Sequence, residues 1–264
     1  MLYNCFMDDL IRINKYISDT GICSRREADR LIAEGLVMLN GKRAETGSKV
    51  GKNDSVKVNN KLISHQQKKI YMAFNKPKGI TCTTDERDRD NIISYIGYKA
   101  RIFPIGRLDK MSEGLIFLTN DGDIVNKILR AGNNHEKEYI VTTDKPITGD
   151  FTKKMSRGVR ILKTQTLPCR VDRINNYKFK IILTQGLNQQ IRRMCEKLGY
   201  NVVKLVRTRI MNVQLKGIKP GQWRYLTDSE MKKIKSLSAG SSKTEEASKI
   251  NNRKKHYDRK KKNP

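Results

Sequence analysis

The spacing of apolar residues along the chain changes character three times, and each change marks a predicted boundary. Over residues 9–64, Ile11, Ile13, Tyr16 and Ile17 recur at helical spacing. Ser24 with Glu27 three residues on predicts a capping box, followed by Ala28, Leu31 and Ile32 as the buried stripe of a second helix. Gly35 closes that helix, and Val37, Leu39, the turn Asn40-Gly41 and Val56-Lys57-Val58 predict small β-structure. Residues 65–69 are polar and predict a linker. Over 70–236 the pattern predicts strands at 70–75, 101–105, 115–119, 138–143, 159–163, 169–174, 178–184, 202–207 and 210–215. Helices are predicted at 123–130, 148–156, 189–198 and 228–236. Asn188 is the expected cap of the third, Gly199 its stop, and Thr227 with Glu230 a capping box for the last. Strands outnumber helices and do not alternate with them. This predicts an α+β chain, a small α+β domain followed by a mixed, largely antiparallel sheet domain.

Residues 237–264 break the pattern. Nine Lys or Arg face three acids there with almost no apolar partner, which predicts a disordered basic tail. The tail is read equally as a solvated end or as an electrostatic arm.

Charge narrows the function. The 264 residues carry 55 Lys and Arg against 27 Asp and Glu, a net +28. A polyanionic partner explains such a field best, because each neutralised phosphate releases condensed counterions. No apolar run reaches the ~20 residues a bilayer span needs, so no membrane association is expected. Residues 1–10 are too short and too acidic for a signal peptide, and Met7 is an alternative start. The five cysteines are scattered and odd in number, which predicts neither a disulfide framework nor a zinc site and suits a reducing cytoplasm. No Walker loop, G-x-G-x-x-G or H-E-x-x-H occurs, so no metal and no cofactor are expected.

The densest chemistry lies in residues 106–122, Gly-Arg-Leu-Asp-Lys-Met-Ser-Glu-Gly-Leu-Ile-Phe-Leu-Thr-Asn-Asp-Gly. Asp109 sits on a turn held at both ends by strands, where reactive groups are often mounted. On those grounds alone a solvated surface turn is the commoner outcome. The segment resembles the G-R-L-D motif of the bacterial ribosomal RNA pseudouridine synthases that carry a small N-terminal RNA-binding domain. The likeness extends over residues 11–236. It includes Ile11-Arg12-Ile13-Asn14-Lys15-Tyr16-Ile17, Cys23-Ser24-Arg25-Arg26-Glu27-Ala28-Asp29 and Asn75-Lys76-Pro77-Lys78-Gly79. It continues through Lys137-Glu138-Tyr139, Gln190-Ile191-Arg192-Arg193-Met194 and Arg207-Thr208-Arg209-Ile210.

The resemblance implies isomerisation of uridine to pseudouridine in structured RNA. The glycosidic bond breaks, the base turns and is rejoined through carbon five, with no redox change and no imported group. It implies Asp109 as the carboxylate that meets the charge on the sugar, by attack or by deprotonation. Arg192 would keep Asp109 ionised, Tyr139 would stack on the base and Ile210 would back the pocket. Arg107 would fill the space left by the extracted nucleotide. Lys76 and Lys78 are either phosphate contacts or fold features. Arg12, Lys15, Arg25, Arg26 and Arg30 are the expected RNA-binding residues of the N-terminal domain. Two departures stand out: Gln189 where a basic residue is usual, and Met111 where a polar one is.

The implied substrate is large-subunit ribosomal RNA, with a tyrosine transfer RNA anticodon as a second possibility, and the chain is expected to act as a monomer. The alternative is a non-catalytic RNA-binding protein of ribosome assembly. A methyltransferase would need a glycine-rich nucleotide loop, which is not present.

Overall fold

The computed structural model describes residues 10–64, 68–129 and 134–239. The expectations for Cys5, Met7, residues 65–67, residue 130 and the tail from residue 240 onward lie outside the described residues. The chain divides into two compact units.

The first unit comprises Met1–Lys69 together with Tyr98–Ile102. Its elements are β1 (Ile11–Arg12), α1 (Ile13–Asp19), α2 (Arg25–Ala33), β2 (Val37–Leu39), β3 (Lys42–Arg43), β4 (Lys49–Val50), β5 (Val56–Val58) and β6 (Lys61–Ile63). Ile11 starts a strand paired with Val50 rather than the first helix. Asn40 and Gly41 both take positive φ, 50° and 81°, which is what a two-residue turn joining β2 to β3 requires. Helices of seven and nine residues are too short to persist alone. They are held by packing: Ile13, Ile17, Ala28, Leu31 and Ile32 meet Val37, Val50, Val56 and Val58 in one core. Ser24 caps α2 by accepting from the Glu27 amide, but the Glu27 carboxylate turns to Arg30, so the reciprocal bond is replaced by an ion pair.

The second unit comprises Ile70–Gly97 and Phe103–Pro264. Its elements are β7 (Tyr71–Lys76), α3 (Ile92–Ile96), β8 (Phe103–Ile105), β9 (Glu113–Thr119), α4 (Gly122–Leu129), β10 (Lys137–Thr143), α5 (Gly149–Arg157), β11 (Arg160–Ile161) and β12 (Thr164–Gln165). They continue with β13 (Arg170–Arg173), β14 (Lys178–Leu183), α6 (Gln190–Lys197), β15 (Val202–Ile210), β16 (Val213–Gln214), β17 (Trp223–Tyr225) and α7 (Asp228–Ser238). A nine-stranded sheet runs β13-β14-β10-β15-β9-β7-β17, with β16 on β15 and β8 on β9. Every pairing in it is antiparallel except β9 with β15, where only Glu113 and Gly114 pair, with Val206 and Arg207. Two apolar clusters pack on it. Phe151 and Met155 of α5 and Ile191, Met194 and Cys195 of α6 belong to one, and Ile124 and Ile128 of α4 and Met231 and Ile234 of α7 to the other.

The expected capping box at Thr227 and Glu230 is present, and α7 runs to Ser238, two residues past the expected boundary. Asn188 does not cap α6. That position is taken by Gln189 in a left-handed conformation, φ 47°, while Asn188 accepts from Arg193.

Candidate active site

Along one side, β9 pairs with β8 through Phe117–Thr119 and with β15 through Glu113 and Gly114. Residues 106–112, which join β8 to β9, therefore emerge where one partner gives way to the other. This loop is fixed by groups far away in sequence. The Leu108 amide donates to Cys82 Sγ at 3.3 Å, and the Lys110 carbonyl accepts from the Gly79 amide at 2.8 Å. Arg192 Nη2 donates to the Met111 carbonyl at 3.0 Å, and the Ser112 amide closes the turn on the Asp109 carbonyl at 2.9 Å. The Asp109 backbone is thus set before any substrate arrives, as positioned chemistry requires.

A cavity of about 320 Å³ opens beside this loop. Asp109, Arg107, Lys137, Tyr139 and Arg207 contribute its chemistry, and Leu183, Ile191 and Leu205 its apolar wall. Tyr139 lies directly opposite Arg207 across β10 and β15, and the Arg207 guanidinium is 6.0 Å from the ring centroid. Arg207 is buried, 4% exposed, and its Nε donates to the Leu115 carbonyl at 2.6 Å. Its Nη2 is buried without a hydrogen-bond partner. A buried donor left open is costly, so an acceptor in the cavity is strongly favoured.

The expected site residues divide. Asp109, Tyr139 and Arg107 are brought together, with Arg107 exposed at the rim. Arg192 is not among the cavity-lining residues. Its Nη1 and Nη2 donate to the carbonyls of Val202 and Met111 and to Ser112 Oγ, its Nε is buried without a hydrogen-bond partner, and no ion pair joins it to Asp109 among the described residues. Ile210 is not among the cavity-lining residues either. It is paired across the sheet with Lys137, past a register shift in β15, and packs in the cluster that holds Met231 and Ile234. Lys76 is no phosphate contact. It is 0% exposed, and its ammonium donates to the carbonyls of Pro77, Ile80 and Lys110. Lys76 is a fold feature that ties one loop to the loop carrying Asp109.

In the first unit Arg12, Arg25 and Arg26 are exposed and have no acidic partner among the described residues. Lys15 and Arg30 are already met by carboxylates, Lys15 by Asp19 and Arg30 by both Glu27 and Glu34. Their expected phosphate role is weakened accordingly. Sequence reasoning missed Arg207 and Lys137 as cavity residues. The alternating arginines of Arg207-Thr208-Arg209 on an otherwise apolar strand were the available signal.

Residues 70–197 match the family model for RNA pseudouridylate synthase, and residues 11–56 match the S4 domain. Over 226 residues the chain is 59% identical to the dual-specificity RNA pseudouridine synthase RluF of Escherichia coli K12, covering 85% of this chain and 78% of that one. The chain belongs to the RNA pseudouridylate synthase family. Ribosomal large subunit pseudouridine synthase B of Bacillus subtilis is 33% identical over 86% of this chain and 96% of its own. A crystal structure of a pseudouridylate synthase superposes with a TM-score of 0.62 at 27% identity, over 85% of this chain and 99% of that one. The family enzymes convert uridine in RNA to pseudouridine, so the catalytic reading of the chain prevails over a purely RNA-binding protein. The mixed α+β order, S4 domain first and synthase domain second, is as expected from the sequence.

Proposed function

We propose that the cavity beside Asp109 receives a uridine extracted from large-subunit ribosomal RNA, and that a transfer RNA anticodon is a second substrate of the same site. The observation that carries this is Asp109 on a pinned loop, facing a cavity that also holds Tyr139 and Arg207. The relatives support the substrate class. One is named for dual specificity and another for the large ribosomal subunit. Asp109 meets the charge that develops at the sugar carbon, Tyr139 stacks on the base, and Arg107 at the rim fills the vacated place in the RNA. The chain acts in the cytoplasm as a monomer in this proposal. Maps of pseudouridine in ribosomal and transfer RNA from cells with and without the protein test the substrate. Unchanged maps would refute it.

Arg207 lines the same cavity as Asp109 and is the cation that meets the substrate there, and Arg192 is a positioning residue that holds the loop. Arg207→Met is expected to lower single-turnover rates roughly 10²-fold with RNA still bound. Arg192→Met should slow turnover less, with the fold retained. A large loss in Arg192→Met and an unchanged rate in Arg207→Met would return the charge role to Arg192.

Arg12, Arg25 and Arg26 read RNA phosphates in this proposal. Changing all three to glutamine should weaken binding and flatten the plot of log affinity against log salt by about 2 to 3 units, at ~0.7–0.9 per phosphate contact. An unaltered slope would remove these arginines from the interface.

A further inference from the structure

Lys137 belongs to the cavity but has no part in the reading above, on which this inference rests. It lies two residues before Tyr139 on β10, so the two side chains share a face, and both line the cavity. It is 9% exposed, and its ammonium donates to the His135 carbonyl at 3.2 Å. Its remaining two N–H groups have no acceptor among the described residues, and no carboxylate pairs with it. Leu183 on β14 and Ile210 on β15 stand opposite it with side chains that offer no polar atom. A buried cation held by one carbonyl is costly unless something in the cavity accepts from it.

The reaction generates such an acceptor. When the bond from the sugar C1′ to N1 breaks, its electron pair goes to N1 and spreads onto the two carbonyl oxygens of the uracil. The deficit on the sugar is met at Asp109. Two residues of strand separate Lys137 from Tyr139 by about 7 Å, so the rim of a base stacked on Tyr139 lies within reach of the lysine side chain on the same face. We propose that Lys137 is a further catalytic residue, whose ammonium hydrogen-bonds a carbonyl oxygen of the uracil and stabilises the charge released onto the base. No proton is transferred in this step. The donor is fixed in place before the charge appears, which is where such stabilisation is strongest.

The groups around the amine are Arg207 on β15, Asp109 and Arg107 on the loop, and Tyr139 and His135 on its own segment. Burial first, and then Arg207, push the Lys137 amine down to about 8. His135 is itself pushed down by burial, so it is neutral in the same range. Because the charged amine is the working form, activity should fall as pH rises through about 8.

Single-turnover rates on RNA carrying uridine or 5-fluorouridine at the target position test this. Wild type should lose rate above pH about 8, and Lys137→Arg, which stays charged, should hold its rate to higher pH. Lys137→Met should lose about 10²-fold on uridine. It should lose at least ~tenfold less on 5-fluorouridine, whose departing base carries its own charge more easily. The ratio of the two substrates is read within one protein and is insensitive to partial misfolding. Equal losses on both would overturn the role of Lys137, as would a wild-type rate that rises through that pH or an Arg variant with an unmoved alkaline limb. A wild-type protein that leaves uridine unchanged would overturn the uridine pocket itself and this inference with it.

Discussion

Asp109→Asn is expected to bind RNA as wild type does and to isomerise uridine on the order of 10⁴-fold more slowly, or not at all. The substitution keeps shape and removes charge. The loop is held chiefly through backbone groups: the Asp109 carbonyl accepts from Ser112, Lys110 is tied to Gly79 and Met111 to Arg192. The fold and the RNA-binding surface should therefore survive. What is lost is the only carboxylate lining the cavity among the described residues, the group proposed to meet the sugar when the base departs. Tritium release from carbon-five-labelled uridine measures the reaction, and a filter or anisotropy assay measures binding. Release near the wild-type rate would sink the assignment of Asp109.

The second large effect is structural. Gly114 has φ +105°, and a Cβ there would lie 2.4 Å from the Arg207 carbonyl oxygen and 2.7 Å from its nitrogen. Both are backbone atoms that cannot rotate away. Gly114→Ala must force β9 and β15 apart at the single place where they pair in parallel, displacing Arg207 and the loop that ends at Ser112. Strain at positive φ and overpacking together should cost about 3 kcal/mol. In a unit of this size that lowers the melting temperature by roughly 10 °C. Gly79→Ala is the control: its φ is +92°, but a Cβ there meets nothing within 4 Å. It should show the backbone strain alone. Calorimetry of both variants decides the point, and equal melting temperatures would show that β9 and β15 yield more readily than their contact suggests.

Most of the framework was legible because it is written in local patterns. The period of α2 and α7, the Asn40-Gly41 turn and the apolar run of β9 each needed only neighbouring residues. What escaped depended on partners distant in sequence. The chain over 202–215 reads as two strands, yet β15 continues unbroken to Ile210 because β10 and β16 both pair with it. The short strand β17 has too few residues to show a period and exists because β7 offers an edge. At the site, Asp109 and Tyr139 could be named from motif likeness, but that Arg207 lines the cavity and Arg192 does not depends on how distant strands and helices pack. No spacing encodes that. Lys76 was ambiguous for the same reason, since a lysine beside a proline looks the same in sequence whether it meets a phosphate or three carbonyls.

That lysine has a consequence for how the enzyme responds to its medium. A ring of carbonyl oxygens around one positive group is the arrangement with which proteins hold alkali cations, and here the cation is tethered to the chain. Its occupancy cannot be diluted or exchanged. The loop that carries Asp109 is thereby insulated from the ionic strength that governs capture of the RNA, so changes in salt act on whether substrate arrives and leave untouched the geometry it meets.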